Sequence, residues 1–270
     1  MDWSTLRIRF FNNWLKNNQS KLQLMLAALQ NCHWCNDIGV HTSGLCESCW
    51  LRLPHSDNGC PQCALHVTVL QPDESMSKYI EPEYDDVNSV FLTTPRCGKC
   101  QSEPPYFDYC HAAFNYDTPI NAWIRACKDK NNIWAAIKLE RLFVQKMATP
   151  QSLPDLIVSI PSSRIRLLRR GFNLSALLSD KLSLHWGCQA NHKLLRINLA
   201  ASQRKLDREK RQTNSLNKFS LSDPNIASRF SHILLVDDVM TTGATLNAAA
   251  KLLKKAGIKT VGCAVFARVQ

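Results

Sequence analysis

No stretch of this 270-residue chain reaches the roughly 18 consecutive apolar residues that a membrane-crossing helix needs, so no transmembrane segment is expected. No GxxxxGK[ST] sequence occurs, which excludes a Walker-type phosphate loop. An export signal is not expected either. The one apolar candidate, Leu22 to Leu29, follows the polar run Asn17 to Lys21 instead of a basic leader, and no small-residue cleavage site comes after it. Without export, twelve cysteines in so long a chain do not suit the disulfide framework of a small secreted protein. The expectation is a soluble, cytoplasmic protein.

Composition supplies the rest of the frame. At 45% apolar, the chain buries a full core and has room for one α/β domain and a smaller appendage. The formal charge of +11 is unevenly spread. Residues 1–150 are near neutral, with 14 Lys and Arg against 15 Asp and Glu, whereas residues 151–270 hold 19 against 7. A half with a net charge of +12 suits a polyanionic partner.

Eight of the cysteines form four CxxC pairs: Cys32 with Cys35, Cys46 with Cys49, Cys60 with Cys63, and Cys97 with Cys100. One CxxC turn presents two thiolates, and two turns complete the closed S₄ shell of a structural Zn²⁺. Pairing in sequence order predicts two zinc ribbons, the first from Cys32, Cys35, Cys46 and Cys49 and the second from the other four; the spacing leaves other pairings open. Four pairs exceed what a dithiol exchange site requires. His33, His41, His55, His66 and His111 are unnecessary as ligands and read as surface or packing residues. So short and apolar-poor a segment needs the metal, whose binding contributes on the order of 10–16 kcal/mol. Between Cys63 and Cys97 lies an acidic insertion with Asp73, Glu74, Glu81, Glu83, Asp85 and Asp86, read as an exposed loop. Ahead of the cysteines, Leu6, Phe10 and Trp14 mark an amphipathic helix. The expected domains are this helix in 1–30, the ribbon region with its insertion in 31–105, and an α/β domain in 106–270.

The α/β pattern centres on Ile233 to Leu246, ILLVDDVMTTGATL. Ile233 to Val236 is a continuous apolar run of the kind buried on both faces of a parallel sheet. Asp237 and Asp238 follow at its carboxyl end, where open α/β sheets bind ligands. Thr241, Thr242, Gly243, Ala244 and Thr245 then offer backbone N–H groups beside small side chains, and Ala244 to Gly257 has helical spacing, so a phosphate could rest on that helix start. The two carboxylates repel a phosphate; they suit sugar hydroxyls or a hydrated Mg²⁺. Elsewhere the pattern predicts strands at 112–116, 155–160, 192–197 and 260–269, and helices at 121–128, 133–147 and 172–186. Ser162 to Asn173, with Arg164, Arg166, Arg169, Arg170 and Gly171 after a buried strand and Pro161, reads as an anion-facing loop. Asn198 to Phe219 lacks an apolar period and reads as a basic arm.

The ILLVDDVMTTGATL segment resembles the phosphoribosyl pyrophosphate (PRPP) motif of the type I phosphoribosyltransferases. That resemblance implies that Asp237 and Asp238 hold the ribose hydroxyls, that Thr241 to Thr245 wrap the 5′-phosphate, and that Mg²⁺ accompanies PRPP. The order of zinc ribbons, a helix ending in Lys128, VSIP followed by RRGFN, a Gln-Arg-Asn arm and VDDVMTTGATL resembles the ComF family, which includes GntX-like proteins, over about residues 30–270. It implies a parallel phosphoribosyltransferase-like sheet behind a double zinc ribbon. By the same likeness Lys128 and Arg211 are candidate catalytic groups, and Pro161, Arg164, Arg170, Gly171 and Asn173 line the pyrophosphate side. Gln203, Arg204, Lys205, Arg208 and Asn214 fall on a flexible arm that closes over the site. Thr241 stands where 6-oxopurine transferases carry a base-reading Asp, and no other residue names an acceptor. Three readings follow: a PRPP-binding protein of DNA uptake or utilisation that engages single-stranded DNA and DNA-uptake machinery, a phosphoribosyltransferase with an unidentified acceptor, or a zinc-held interaction module on a degenerate transferase fold.

Overall fold

A computed structural model describes residues 31–37, 44–57, 59–67, 95–129, 132–198 and 218–270. The expected helix in 1–30, the acidic stretch 73–86 and the basic arm at 203–214 lie outside the described residues. The chain divides into two compact units, Met1–Leu53 and Pro54–Gln270.

In the first unit the Cys32–Cys35 turn and helix α1 (Glu47–Leu51) carry the first four cysteines. Among the described residues around them Leu45 and Leu53 are buried, and the Arg52 guanidinium stacks 5.5 Å from the Trp34 ring.

The second unit opens with the Cys60–Cys63 turn and helix α2 (Gly98–Ser102). Strand β1 (Tyr109–Asn115), helices α3 (Ile120–Asp129) and α4 (Ile133–Lys146), and strand β2 (Leu156–Ser159) follow. Next come α5 (Arg164–Arg170), α6 (Leu174–Trp186), β3 (Gln189–Asn191), β4 (Leu195–Ile197), β5 (Phe219–Leu221), β6 (His232–Met240), α7 (Ala244–Lys255) and β7 (Thr260–Arg268). Five strands form one sheet in the order β1-β7-β6-β2-β3, and every pairing is parallel. Strands β4 and β5 pair antiparallel as a separate ribbon, with Ile197 opposite Phe219.

Burial explains the sequence pattern. All four residues of β2, the four residues Ile233–Val236 of β6 and eight of the nine residues of β7 are buried, as strands covered on both faces must be. One face packs α7, the β4–β5 ribbon and the second cysteine cluster around Leu235, Val261 and Cys263. The other packs α6, which in turn carries α4, with Phe143 6.2 Å from Phe266. From β2 the chain moves outward to β3 and returns on the opposite side of β2 as β6. The topological switch point, where such sheets bind ligands, therefore lies between the carboxyl ends of β2 and β6.

Two local expectations are corrected. Residues 164–170 are a helix and not a loop: the Ser163 hydroxyl accepts from the Arg166 N–H, and Gly171 at φ 75° ends the helix. The stretch 192–197 is not one strand, because Asn191 Oδ1 accepts from the N–H groups of Lys193 (2.8 Å) and Leu194 (2.9 Å) and turns the chain between β3 and β4.

Phe143 is fully buried, so Phe143→Ala leaves a cavity under β7. The expected loss is about 3–5 kcal/mol of unfolding free energy, read by denaturant titration of the zinc-loaded protein; a loss near zero would show that the α4 layer does not seal the sheet.

Candidate functional site

Both expected ligand-facing segments meet at the switch point. Asp237 and Asp238 are the sixth and seventh residues of β6, just past its sealed portion. The Ser175 hydroxyl donates to Asp237 Oδ1 at 2.9 Å, and the Asp238 N–H donates to the same oxygen at 2.9 Å. Asp238 Oδ1 accepts from Lys128 Nζ at 2.8 Å. Lys128 reaches it because α3 buries Ile120, Ile124 and Cys127 as one stripe, which leaves the lysine beside that stripe in the last turn.

The segment after β2 is locked to the start of α6. Asn173 Nδ2 donates to the Ile160 carbonyl at 3.0 Å, and the Ser162 hydroxyl donates to Asn173 Oδ1 at 2.9 Å. Asn173 thus orients the chain around Pro161 while Ser175, two residues on, holds Asp237. Gly171 serves to end α5. Arg164, Arg166 and Arg169 are exposed on α5, and Arg170 is less so. No α5 side chain is buried, and Ile165 and Leu168 are 73% and 86% exposed between the arginines.

Beyond β6, Gly243 stands at φ 77° as the cap residue of α7, a left-handed conformation that suits glycine. Thr241, Thr242 and Ala244 are exposed around it, and the first turn of α7 carries no acidic residue. The opening N–H groups of a helix lack intrahelical partners, so this loop is suited to an anion. Lys218 Nζ donates to Thr245 Oγ1 at 3.0 Å beneath it.

Electrostatics tie these groups together. Burial, and then the charge of Asp238, push the Asp237 carboxyl up to about 7. Burial lowers the Lys218 ammonium, a shift that Asp237 opposes and Arg166 reinforces. Burial, with help from Asp238, pushes the Cys127 thiol up to about 11, while Lys128 and Arg170 pull it down. Arg170 and Asp238 thus both act on Cys127. Gln203, Arg204, Lys205, Arg208, Arg211 and Asn214 lie outside the described residues. Sequence reasoning missed Ser175 and Lys218. The only available signal was a serine at a buried position of an apolar helix, and a lysine directly before a strand.

The eight paired cysteines form two tetrads in sequence order: Cys32, Cys35, Cys46 and Cys49, and Cys60, Cys63, Cys97 and Cys100, each with its sulfurs within 4.8 Å of one another. A tetrahedral Zn²⁺ with Zn–S about 2.3 Å has sulfur–sulfur edges of about 3.8 Å. The observed edges Cys35–Cys46 (3.7 Å) and Cys63–Cys97 (3.6 Å) match, and all eight thiols are free of disulfides. The two CxxC turns share one backbone. In each, the N–H four residues after the first cysteine donates to its carbonyl, Asn36 to Cys32 (2.8 Å) and Ala64 to Cys60 (2.7 Å), with Asn36 and Ala64 both at positive φ. Burial resists ionisation of Cys32 and Cys60, yet backbone N–H groups lower these thiols to about 6 and about 7. The donor set fits zinc.

Residues 135–270 match the phosphoribosyl transferase domain family, and residues 22–79 match the double zinc ribbon domain. Competence protein F of Haemophilus influenzae is 33% identical over 171 residues, 61% of this chain and 75% of the relative. DNA utilization protein YhgH of Salmonella typhimurium is 31% identical over 225 residues, 81% and 87% of the two chains. Competence protein ComFC of Bacillus subtilis is 33% identical over 102 residues, 38% and 39% of the two. Among the described residues no helix is long and apolar enough to cross a membrane.

Two intact tetrads set an expected content of two zinc ions per chain. Elemental analysis with thiol titration checks it, and a metal-free chain that keeps its fold would overturn the assignment.

Proposed function

Because this chain belongs to the ComF family, which joins zinc ribbons to a phosphoribosyltransferase-fold domain, we propose that it binds PRPP with Mg²⁺ and acts in the cytoplasm in DNA uptake or utilisation. The observation that carries the reading is the convergence, at one switch point, of the Asp237–Asp238 pair, the Pro161–Asn173 segment and the Gly243 loop. Asp237 and Asp238 accept hydrogen bonds from the ribose hydroxyls. The N–H groups of Thr241 to Thr245 wrap the 5′-phosphate. Asp237 and Asp238 would also hold a hydrated Mg²⁺, which would supply charge neutralisation to PRPP. Lys128, paired with Asp238, turns with Arg164 and Arg170 toward the pyrophosphate, and Arg211, outside the described residues, adds a further counter-charge.

The names of the relatives, competence protein F and DNA utilization protein, together with the basic half of the chain, support direct contact with single-stranded DNA. A second reading draws support from α5, whose exposed Ile165 and Leu168 suit a protein of the uptake machinery better than they suit phosphates. A phosphoribosyl transfer would show itself as pyrophosphate release in an acceptor screen.

PRPP with Mg²⁺ is expected to raise the melting temperature, since a ligand held only by the folded state stabilises it. The form that binds hydroxyls and metal is ionised Asp237, so affinity should rise as pH increases through about 7. Asp237→Asn with Asp238→Asn should abolish both the shift and its pH dependence; an unchanged shift would put PRPP elsewhere.

Single-stranded DNA is expected to bind without marked sequence preference and to weaken steeply with salt. Replacing Arg204, Lys205, Arg208, Lys210 and Arg211 should flatten log affinity against log salt by up to ~0.7 per lost phosphate contact. Fluorescence anisotropy across a salt series measures this. No binding at low salt would remove direct DNA contact and leave the partner-protein reading.

A further inference from the structure

The nine-residue strand β7 ends in a single cation, Arg268, which is only 6% exposed. Its Nε donates to the Cys63 carbonyl at 3.0 Å. One Nη donates to the Met240 carbonyl at 3.3 Å and also to the carbonyls of Thr241 and Val269. Among the described residues no carboxylate pairs with it. A buried guanidinium satisfied by carbonyls alone still needs a counter-charge, because desolvating an unpaired charge is costly. Cys63 is at once its hydrogen-bond acceptor and a member of the second tetrad. Four thiolates around one Zn²⁺ carry a net charge of about −2.

The other end of the guanidinium controls the loop. A peptide unit is planar and trans, so its N–H points opposite to its C=O. Drawing the carbonyls of Met240 and Thr241 toward Arg268 turns the N–H groups of Thr241 and Thr242 away from it, in the residues that lead directly into Gly243 and the start of α7. A cleft of about 780 Å³ runs between the two partners, lined by Cys63, Cys97, Lys99, Thr242, Gly243 and Arg268.

We propose that Arg268 is a positioning residue that couples the second cysteine tetrad to the sugar-phosphate loop. The metallated tetrad is the counter-charge that keeps the guanidinium buried, and the guanidinium fixes the loop amides. Loss of metal from this tetrad therefore loosens the loop, and a ligand on the loop retains the metal. The first tetrad, in the separate Met1–Leu53 unit, takes no part. Only the ligand arm of this coupling rests on the PRPP reading.

The test uses the zinc-loaded full chain. Zinc release to a chromogenic chelator gives one phase per tetrad, assigned with Cys35→Ser, which removes the first. Arg268→Met should speed release from the second tetrad by about tenfold or more, within the usual range of site–site coupling, and leave the first unchanged. Amide exchange at Thr241 and Thr242 should rise while both metals are still bound. Arg268→Lys keeps the charge without the planar fork and should fall between the two in both measurements. If Arg268→Met does not fold, Arg268→Lys and the wild type decide: by reciprocity, PRPP with Mg²⁺ should raise the zinc affinity of the second tetrad alone, read by equilibrium competition with the chelator. Wild-type release and loop exchange in Arg268→Lys, or equal shifts at both tetrads, would overturn the coupling. A wild type that binds no PRPP would remove the PRPP reading, and the release and exchange measurements would still settle the coupling.

Discussion

Asp237 and Asp238 place two carboxylates side by side at the end of a strand sealed on both faces, and much of the polar architecture of the second unit answers that repulsion. Lys128 arrives from α3 to neutralise one, Ser175 from α6 and the Asp238 N–H bond the other, and Lys218 stands close by. The answer is incomplete, since the Asp237 carboxyl holds its proton up to about pH 7. A site that keeps a proton until something better arrives favours ligands that bring hydroxyl donors or a cation. The helices are therefore more than cover for the sheet: α3 and α6 each deliver one polar group to the same few ångströms.

Much of this was legible in the sequence. The run Ile233–Val236 announced a strand buried on both faces, because continuous β-branched and leucine residues have no polar face to offer water. Asp237, Asp238 and the small residues after them fell where the chain must turn into a helix. Cysteine spacing gave the ligands, and geometry then chose the sequential pairing that spacing had left open. What escaped were contacts made by tertiary approach. Ser175 and Arg268 are distant in sequence from the groups they hold, and no local periodicity marks them. The segment 164–170 misled because four arginines were weighed as ligand contacts, whereas a capping serine and a terminating glycine decided for a helix.

The two CxxC turns show how far a metal shell can dictate a backbone. CHWCN and CPQCA share only the cysteines, yet both close the same hydrogen bond and both throw the residue after the second cysteine into the left-handed region. Asparagine tolerates that conformation; alanine adopts it at a cost of roughly 1 kcal/mol. The alanine at position 64 is held there by the geometry around it, including the carbonyl of Cys63 that Arg268 engages.

Because one tetrad belongs to each compact unit, a two-state description with a single unfolding midpoint is not licensed for this molecule. Among the described residues the first unit buries Leu45 and Leu53 beside its cysteines, while the second also rests on a five-stranded core. A cell short of zinc would then hold chains in which the sheet persists and the first tetrad has come apart, so the protein would report metal supply as a graded mixture of forms and not as an all-or-none collapse.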